Sequence, residues 1–204
     1  TTATRVNSAG LIELVPYNLM TYSQLFSNAI WTQDNSSLTS GFTSPSGAAD
    51  AFKLIESATT AVHNIYITFA SLTLGNYTTS IYIKKGERFK VAVADRNSGV
   101  YVSYNLNTGT IIDSLSLIGT IESLDNDWYR LTATTSSSVS VYVPQFFILQ
   151  DSYTTGLPIT LPYLGNGTSG IYIWGAQFVE GSLPKDYIRT ETRLNIPRID
   201  YSNG

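Results

Sequence analysis

The sequence predicts an all-β domain, an antiparallel sandwich or barrel of many short strands. Three observations carry that reading. Val, Ile, Thr and Tyr alternate with a period of two over about 62–69, 79–84, 88–94, 100–106, 128–134, 139–143 and 171–178, the pattern of side chains pointing to opposite sheet faces. Turn-forming clusters divide these runs: "SPSG" (44–47), "KKGE" (84–87), "DRNSG" (95–99), "NTG" (107–109), "DND" (125–127) and "GNGTSG" (165–170). No long stretch has a helical period, and the one helical candidate is short, from Tyr22 to Ile30. Short strands at this spacing build sandwiches and barrels.

Taken in order, the runs share a motif, a tyrosine between two β-branched aliphatics. It occurs as Ile65-Tyr66-Ile67, Ile81-Tyr82-Ile83, Val100-Tyr101-Val102, Val141-Tyr142-Val143 and Ile171-Tyr172-Ile173. In a strand the two aliphatics share one face and the tyrosine takes the other. The aliphatic rows extend through His63 and Phe69, through Phe89, Val91 and Val93, and through Val139. These rows are the expected sheet-to-sheet core. Tyr66, Tyr82, Tyr101, Tyr142 and Tyr172 are then expected to face outward, with Trp174 and Phe178 on the face of Tyr172. Two readings of the outward tyrosines compete. They either pack across strands and under loops, or they floor an aromatic groove, where flat rings offer apolar area and a hydrogen-bonding tip.

Composition narrows the partners. Of 204 residues, 43% are apolar, enough for a core. Only 13% are charged, against about 25% in an average soluble protein. The polar surface is therefore mostly Ser, Thr and Asn, which suits neutral, hydroxyl-rich partners. A net charge of −3 with no basic patch argues against nucleic acid. The absence of cysteine removes disulfides, thiolate metal sites and cysteine nucleophiles. No apolar run approaches the roughly 20 residues of a membrane-spanning helix, and no signal peptide is expected. The chain reads as a piece of a longer polypeptide. Residues 1–16 are a linker or docking segment, 17–190 one sandwich domain, and 191–204 a linker to a following domain or partner.

Several segments, in order, resemble a domain that recurs in structural proteins of tailed phages. "YNLMTYSQLFSNAIWTQ" (17–33) is similar to its opening N-L-L-x-Y-S-E-x-F-x-N-A-x-W. "SPSGAADAFKLIES" (44–57), "YTTSIYIKKGE" (77–87), "YNLNTGTI" (104–111) and "DWYRLTAT" (127–134) resemble its inner segments. "GIYIWGAQFVEGSLPKDYIRT" (170–190) resembles its last strand and tail. The resemblance implies a jelly-roll β-sandwich like that of carbohydrate-binding modules. It implies an appended, non-catalytic domain of tail, receptor-binding or head-fibre proteins at the virion surface, bound to a host-surface or mucosal glycan. It also implies other virion proteins as partners and a homo-oligomeric fibre. Phe26, Trp31, Trp128, Tyr129, Trp174 and Gln177 match the shared pattern, which favours architectural roles for Trp31 and Trp128. Tyr101, Tyr104, Tyr153 and Tyr163 lie in or beside less patterned segments, where recognition residues belong. The candidate carbohydrate contacts are thus Tyr101, Tyr104, Tyr82, Tyr172, Trp174, Tyr153 and Tyr163, with Tyr101 first.

Related jelly rolls often carry an acidic pair in the last strand that ties down a structural calcium. Here that place is taken by Ile173-Trp174-Gly175-Ala176, so no cofactor is expected; "DND" and Asp95-Arg96-Asn97 are the remaining oxygen-rich turns. Catalysis finds little footing. His63 is the sole histidine and sits in an aliphatic row. Glu56, Glu87, Glu122 and Glu180 qualify as glycosidase acids by residue type alone. The expectation is a non-enzymatic glycan-binding domain. The alternative is a purely structural one, whose tyrosine face mediates oligomerisation or docking to a capsid or tail.

Overall fold

A computed structural model describes residues 4–6, 10–14, 17–69, 72–135 and 139–192. Its strands are β1 (Thr4–Val6), β2 (Ile12–Leu14), β3 (Thr32–Asp34), β4 (Ser36–Phe42), β5 (Ala51–Glu56), β6 (Thr60–Ala61), β7 (His63–Tyr66) and β8 (Tyr77–Lys85). They continue as β9 (Lys90–Asp95), β10 (Tyr101–Asn105), β11 (Thr110–Leu115), β12 (Leu117–Ser123), β13 (Trp128–Thr135), β14 (Pro144–Leu149), β15 (Tyr163–Leu164) and β16 (Gly170–Glu180).

Two six-stranded sheets form the body. Sheet one runs β11-β10-β9-β14-β7-β3 and sheet two β12-β13-β8-β16-β5-β4. Every strand pairing within them is antiparallel. The chain crosses between sheets after β3, β5, β7, β8, β11, β13 and β14, the alternation of a jelly-roll sandwich. β1 pairs with β2, and β6 with β15, in small ribbons. The expected 191–204 linker lies, beyond Thr192, outside the described residues.

The aliphatic rows do meet between the sheets. Ile81, Ile83, Ile171 and Ile173 from sheet two pack with Ile65, Val91, Val93, Val102, Phe146 and Ile148 from sheet one. Each such burial is worth about 1.5–3 kcal/mol. Phe26 and Trp31 close one edge, their rings 4.9 Å apart.

Four sequence expectations need correction. The segment from Tyr22 to Ile30 is not helical. It is a chain of turns in which Leu25, Asn28 and Trp31 each donate to the carbonyl three residues back. The strand expected over 139–143 instead begins at Pro144, and 139–142 makes only isolated bridges, Phe69 to Tyr142 and Gly75 to Val139. Without a ladder, parity has no hold there. Tyr142 turns inward and stacks on Phe178 at 5.1 Å, while Val141 is exposed. The strand "PQFFIL" escaped notice because it is buried on both faces and shows no alternation.

The fourth correction is Phe178. It does not share the face of Tyr172, because β16 is bulged between Trp174 and Gln177. Gly175 takes φ 60° there, and a Cβ would sit 3.0 Å from the Tyr82 ring. The extra residue resets the alternation. Trp174 points out, whereas Ala176 and Phe178 join the core.

Asn18 serves β16 past the bulge, on the edge where pairing with β5 has ended at Ile173. Its Nδ2 donates to the carbonyls of Ala176 at 3.1 Å and Ile188 at 3.0 Å. Its Oδ1 accepts from the amides of Met20 and Phe178, each at 3.0 Å. All this happens in a fully buried position, where orphaned backbone groups are costly. Asn18→Ala is therefore expected to destabilise the domain by at least about 2 kcal/mol, read as a lower urea midpoint at unchanged slope. A variant within about 0.5 kcal/mol of wild type would show that the bulge does not depend on this side chain.

Candidate functional site

The outer face of sheet two gathers aromatic and basic side chains. Strand register sets Thr39, Lys53, Tyr172, Lys84 and Trp128 in one row across five strands. The next row holds Trp174, Tyr82, Arg130 and Glu122, and neighbouring strands lie about 4.8 Å apart. Phe42 enters from β4 and packs edge-on to Tyr172 at 4.9 Å. Tyr187, from the irregular segment after β16, lies 4.9 Å from Trp174 and 5.8 Å from Tyr82. Trp128 and Trp174 are buried beneath this layer, and Phe42, Tyr82, Tyr172 and Tyr187 are half-buried.

Electrostatics shape the same face. Lys53 Nζ lies 5.9 Å from the centre of the Tyr172 ring and 2.7 Å from Glu87 Oε2. Lys84 Nζ donates to the Asn126 carbonyl at 2.9 Å. The Arg130 guanidinium lies 5.7 Å from the Tyr82 ring centre. Burial pushes the Tyr82 hydroxyl up, against the pull of Arg130, and Glu122 and Asp186 add to the rise. Tyr82 therefore remains a protonated donor. Hydroxyl, ammonium and carboxylate groups thus surround exposed ring edges on a rigid β floor.

Of the seven predicted contacts, Tyr82, Tyr172 and Trp174 come together here. Trp174 lies under the layer and is 7% exposed. The other four lie elsewhere, none on an open face. Tyr104 is fully buried between the sheets and donates to the Thr132 carbonyl. It is three residues from Tyr101, so the period of two already sends it inward. Tyr101 does face outward from sheet one, but the 151–159 loop covers it. Its cluster holds Phe147, Leu149 and Tyr153, with Leu157 and Ile159 packed against them. Tyr153 is part of that cover, its hydroxyl donating to the Gly156 carbonyl at 2.7 Å.

Tyr163 belongs to a buried ion-pair cluster. Its hydroxyl donates to Glu56 at 2.7 Å, and the same carboxylate takes two bonds from Arg88 at 2.8 and 2.9 Å. Burial pushes the Glu56 carboxyl up, but Arg88, Tyr163 and the Asn166 amide outweigh it and hold it low. His63 packs edge-on to Tyr163 at 4.7 Å and donates through Nδ1 to the Asn35 carbonyl at 2.7 Å. Glu56 and His63 are thus tied to structural partners.

Sequence reasoning missed Phe42, Tyr187, Lys53, Lys84 and Arg130. Lys84 was within reach, because it lies two residues from Tyr82 in one strand. Arg130 follows from Trp128 in the same way. Phe42 and Tyr187 sit in segments without alternation, and only tertiary packing brings them in.

Asp95 Oδ1 accepts from the amides of Asn97 and Val143, and Oδ2 from Ser98. Among the described residues, no group of three or more His, Asp or Glu side chains gathers where it could hold a metal ion.

No known protein-family pattern matches this chain, and no curated protein matches it. Solved structures do. One is the enzymatically active domain of bacteriophage CBA120 tailspike protein 4, with TM-score 0.44 and 16% identity, covering 79% of this chain and 21% of that one. Another is xylanase 10B of Clostridium thermocellum, its CBM22-1 and GH10 modules complexed with xylohexaose. It gives TM-score 0.40 and 12% identity, covering 82% of this chain and 28% of that one. The chain thus spans under a third of either. The assignment to a sandwich rests on the two sheets themselves.

The loop over sheet one has its own electrostatic anchor. Asp113 Oδ2 accepts from Thr155 Oγ1 at 2.6 Å, Tyr101 Oη at 2.5 Å and the Gly156 amide at 3.2 Å. These bonds, Thr155 first, hold its carboxyl down to about 2, against an ordinary 3.8. A carboxyl lowered on folding stabilises above its unfolded pKa, and that contribution fades as pH falls through the folded value. Asp113→Asn is therefore expected to lose less stability than wild type between pH 4 and 2, and to speed amide exchange at Gly156 at neutral pH. Identical acid limbs and unchanged exchange would refute the anchor.

Proposed function

We propose that this domain is a non-catalytic carbohydrate-binding module, and that it grips glycan on the outer face of sheet two around Tyr172. The observation that carries the proposal is the half-exposed layer of Tyr172, Tyr82 and Phe42 on a buried floor of Trp128 and Trp174. The C–H face of a pyranose is apolar and stacks on such rings, while its hydroxyls need donors and acceptors at the ring edges. Lys53, Lys84 and Glu87 stand there. The run of motifs over 17–190 supports a place on a phage virion, with a host-surface or mucosal polysaccharide as ligand. Single sites of this kind are weak, and repetition along a fibre raises avidity. The engagement of Glu56 by Arg88 and of Glu87 by Lys53 supports binding without hydrolysis.

A second reading, a docking or oligomerisation domain, has its own support. Ile111, Leu115 and Ile118 are exposed on and between the edge strands β11 and β12, Ile118 by 63%. Apolar side chains on sheet edges invite a partner.

A glycan array followed by calorimetry tests the first reading. Tyr172→Ala is expected to weaken binding tenfold or more, about 1.4 kcal/mol, in a domain that still unfolds cooperatively. A folded wild-type domain that binds no glycan at millimolar sugar rejects it. Release of product from a bound polysaccharide rejects its non-catalytic part. A dimer in light scattering that Ile118→Ser dissociates supports the second reading.

A further inference from the structure

A second concavity lies at the β4–β5 edge of sheet two. The turn segment around Tyr22, the start of β5 and the 189–192 segment enclose a cavity of about 510 Å³, within the range of roughly 300–1,000 Å³ usual for small-molecule sites. Tyr22, Leu25 and Phe52 give it apolar wall, and Asp50, Arg189 and Glu191 give it charge.

Three features distinguish it from an ordinary surface dip. Asp50 Oδ1 is shielded from solvent and has no hydrogen-bond partner. A buried acceptor without a donor is an uncommon and unfavourable state. Tyr22 holds the left-handed conformation at φ 50°, which is strained for a tyrosine and clusters at functional sites. That conformation is pinned from two sides. The Trp31 indole donates to the Tyr22 carbonyl at 3.1 Å, and the Tyr22 amide donates to the Glu191 carbonyl at 3.1 Å. The wall is therefore formed in advance.

The charge pattern selects the ligand. Arg189 and Glu191 pair with each other at 3.0 Å and largely cancel. Asp50 remains as an acceptor with a negative charge. It disfavours carboxylates, sulfates and phosphates and calls for O–H or N–H donors. Asp50 lines the cavity, and its χ2 torsion is soft enough to adapt to a donor there. Ser27 and Ser40 belong to the same lining.

We propose that this cavity is a second binding site, for a single neutral or amino-bearing sugar unit that donates to Asp50. It is independent of the face around Tyr172 and stands whether or not that face binds glycan. The test is an amide-resolved NMR titration of the full chain with glucose, glucosamine and glucuronate. Glucose or glucosamine is expected to shift Leu25, Ser40, Asp50 and Thr192, with glucuronate inert. Asp50→Ala is expected to weaken that binding at least tenfold, and Tyr172→Ala to leave it unchanged. Leu25→Trp, at an exposed lining position, is expected to block the cavity and abolish the shifts without touching Asp50. The proposal is overturned by an absence of pocket shifts at tens of millimolar glucose and glucosamine, by equal shifts with glucuronate, or by wild-type affinity in both Asp50→Ala and Leu25→Trp.

Discussion

The bulge in β16 and the asparagine that completes it set the terms for the rest of the molecule. β16 sits near the centre of sheet two and is its longest strand. Before the bulge it sends Tyr172 and Trp174 outward, and after it sends Ala176 and Phe178 inward. One strand thereby floors the outer aromatic layer and also fills the core, where Phe178 stacks against Phe69, Tyr77 and Tyr142. A bulge interrupts pairing, and the freed groups must find partners. Asn18 serves two of them, the Ala176 carbonyl and the Phe178 amide, and spends its other two bonds on Met20 and Ile188.

The same bonds fasten both ends of the domain to its middle. Asn18 lies before β3, the first strand of the two large sheets, and reaches the Ile188 carbonyl after β16, the last. Gln177, beside the bulge, donates to the carbonyls of Lys185 and Asp186 and accepts from the Ile188 amide. Ser23 and Thr190 exchange further bonds. These ties place Tyr187 on the outer face and Arg189 and Glu191 on the cavity wall. Both candidate sites therefore depend on irregular segments held by buried polar groups rather than on strands alone.

How far the sequence could be read follows from where the ladder is regular. In β8, and in β16 up to Trp174, alternation placed Ile81, Ile83, Ile171 and Ile173 inside and Tyr82 and Tyr172 outside, as found. In β10 the same rule sends Tyr104 inward, where it is fully buried, against its place among the candidate contacts. Alternation failed at Tyr142, where bridges replace a strand, and at Phe178, beyond the bulge. A glycine beside a tryptophan in a strand is the signal that could have warned of the second failure. The cover over sheet one left no periodic trace. That Tyr101 lies under the 151–159 loop is a tertiary fact, carried by Asp113 and by apolar residues far away in sequence.

The contrast between the two outer faces explains why the repeated tyrosine has no single role. Sheet one presents Tyr101 and sheet two presents Tyr172 by the same local rule. Over Tyr101, Leu157 and Ile159 supply apolar area, and Thr155 and Gly156 join Tyr101 on one carboxylate oxygen. A loop with both kinds of contact offsets the entropy of ordering it, and the face is sealed. Over sheet two, the 185–188 segment is tied down at Gln177 and Arg130, toward one end of the face. The rows nearer Tyr172 lie beyond it and keep half-exposed rings. A tyrosine between two β-branched residues thus specifies only that a ring leaves the core. Whether that ring becomes packing or binding surface is decided by what covers it: the 151–159 loop buries Tyr101, the Arg96 guanidinium lies over Tyr66 at 4.5 Å, and Tyr82 and Tyr172 on sheet two keep half-exposed rings.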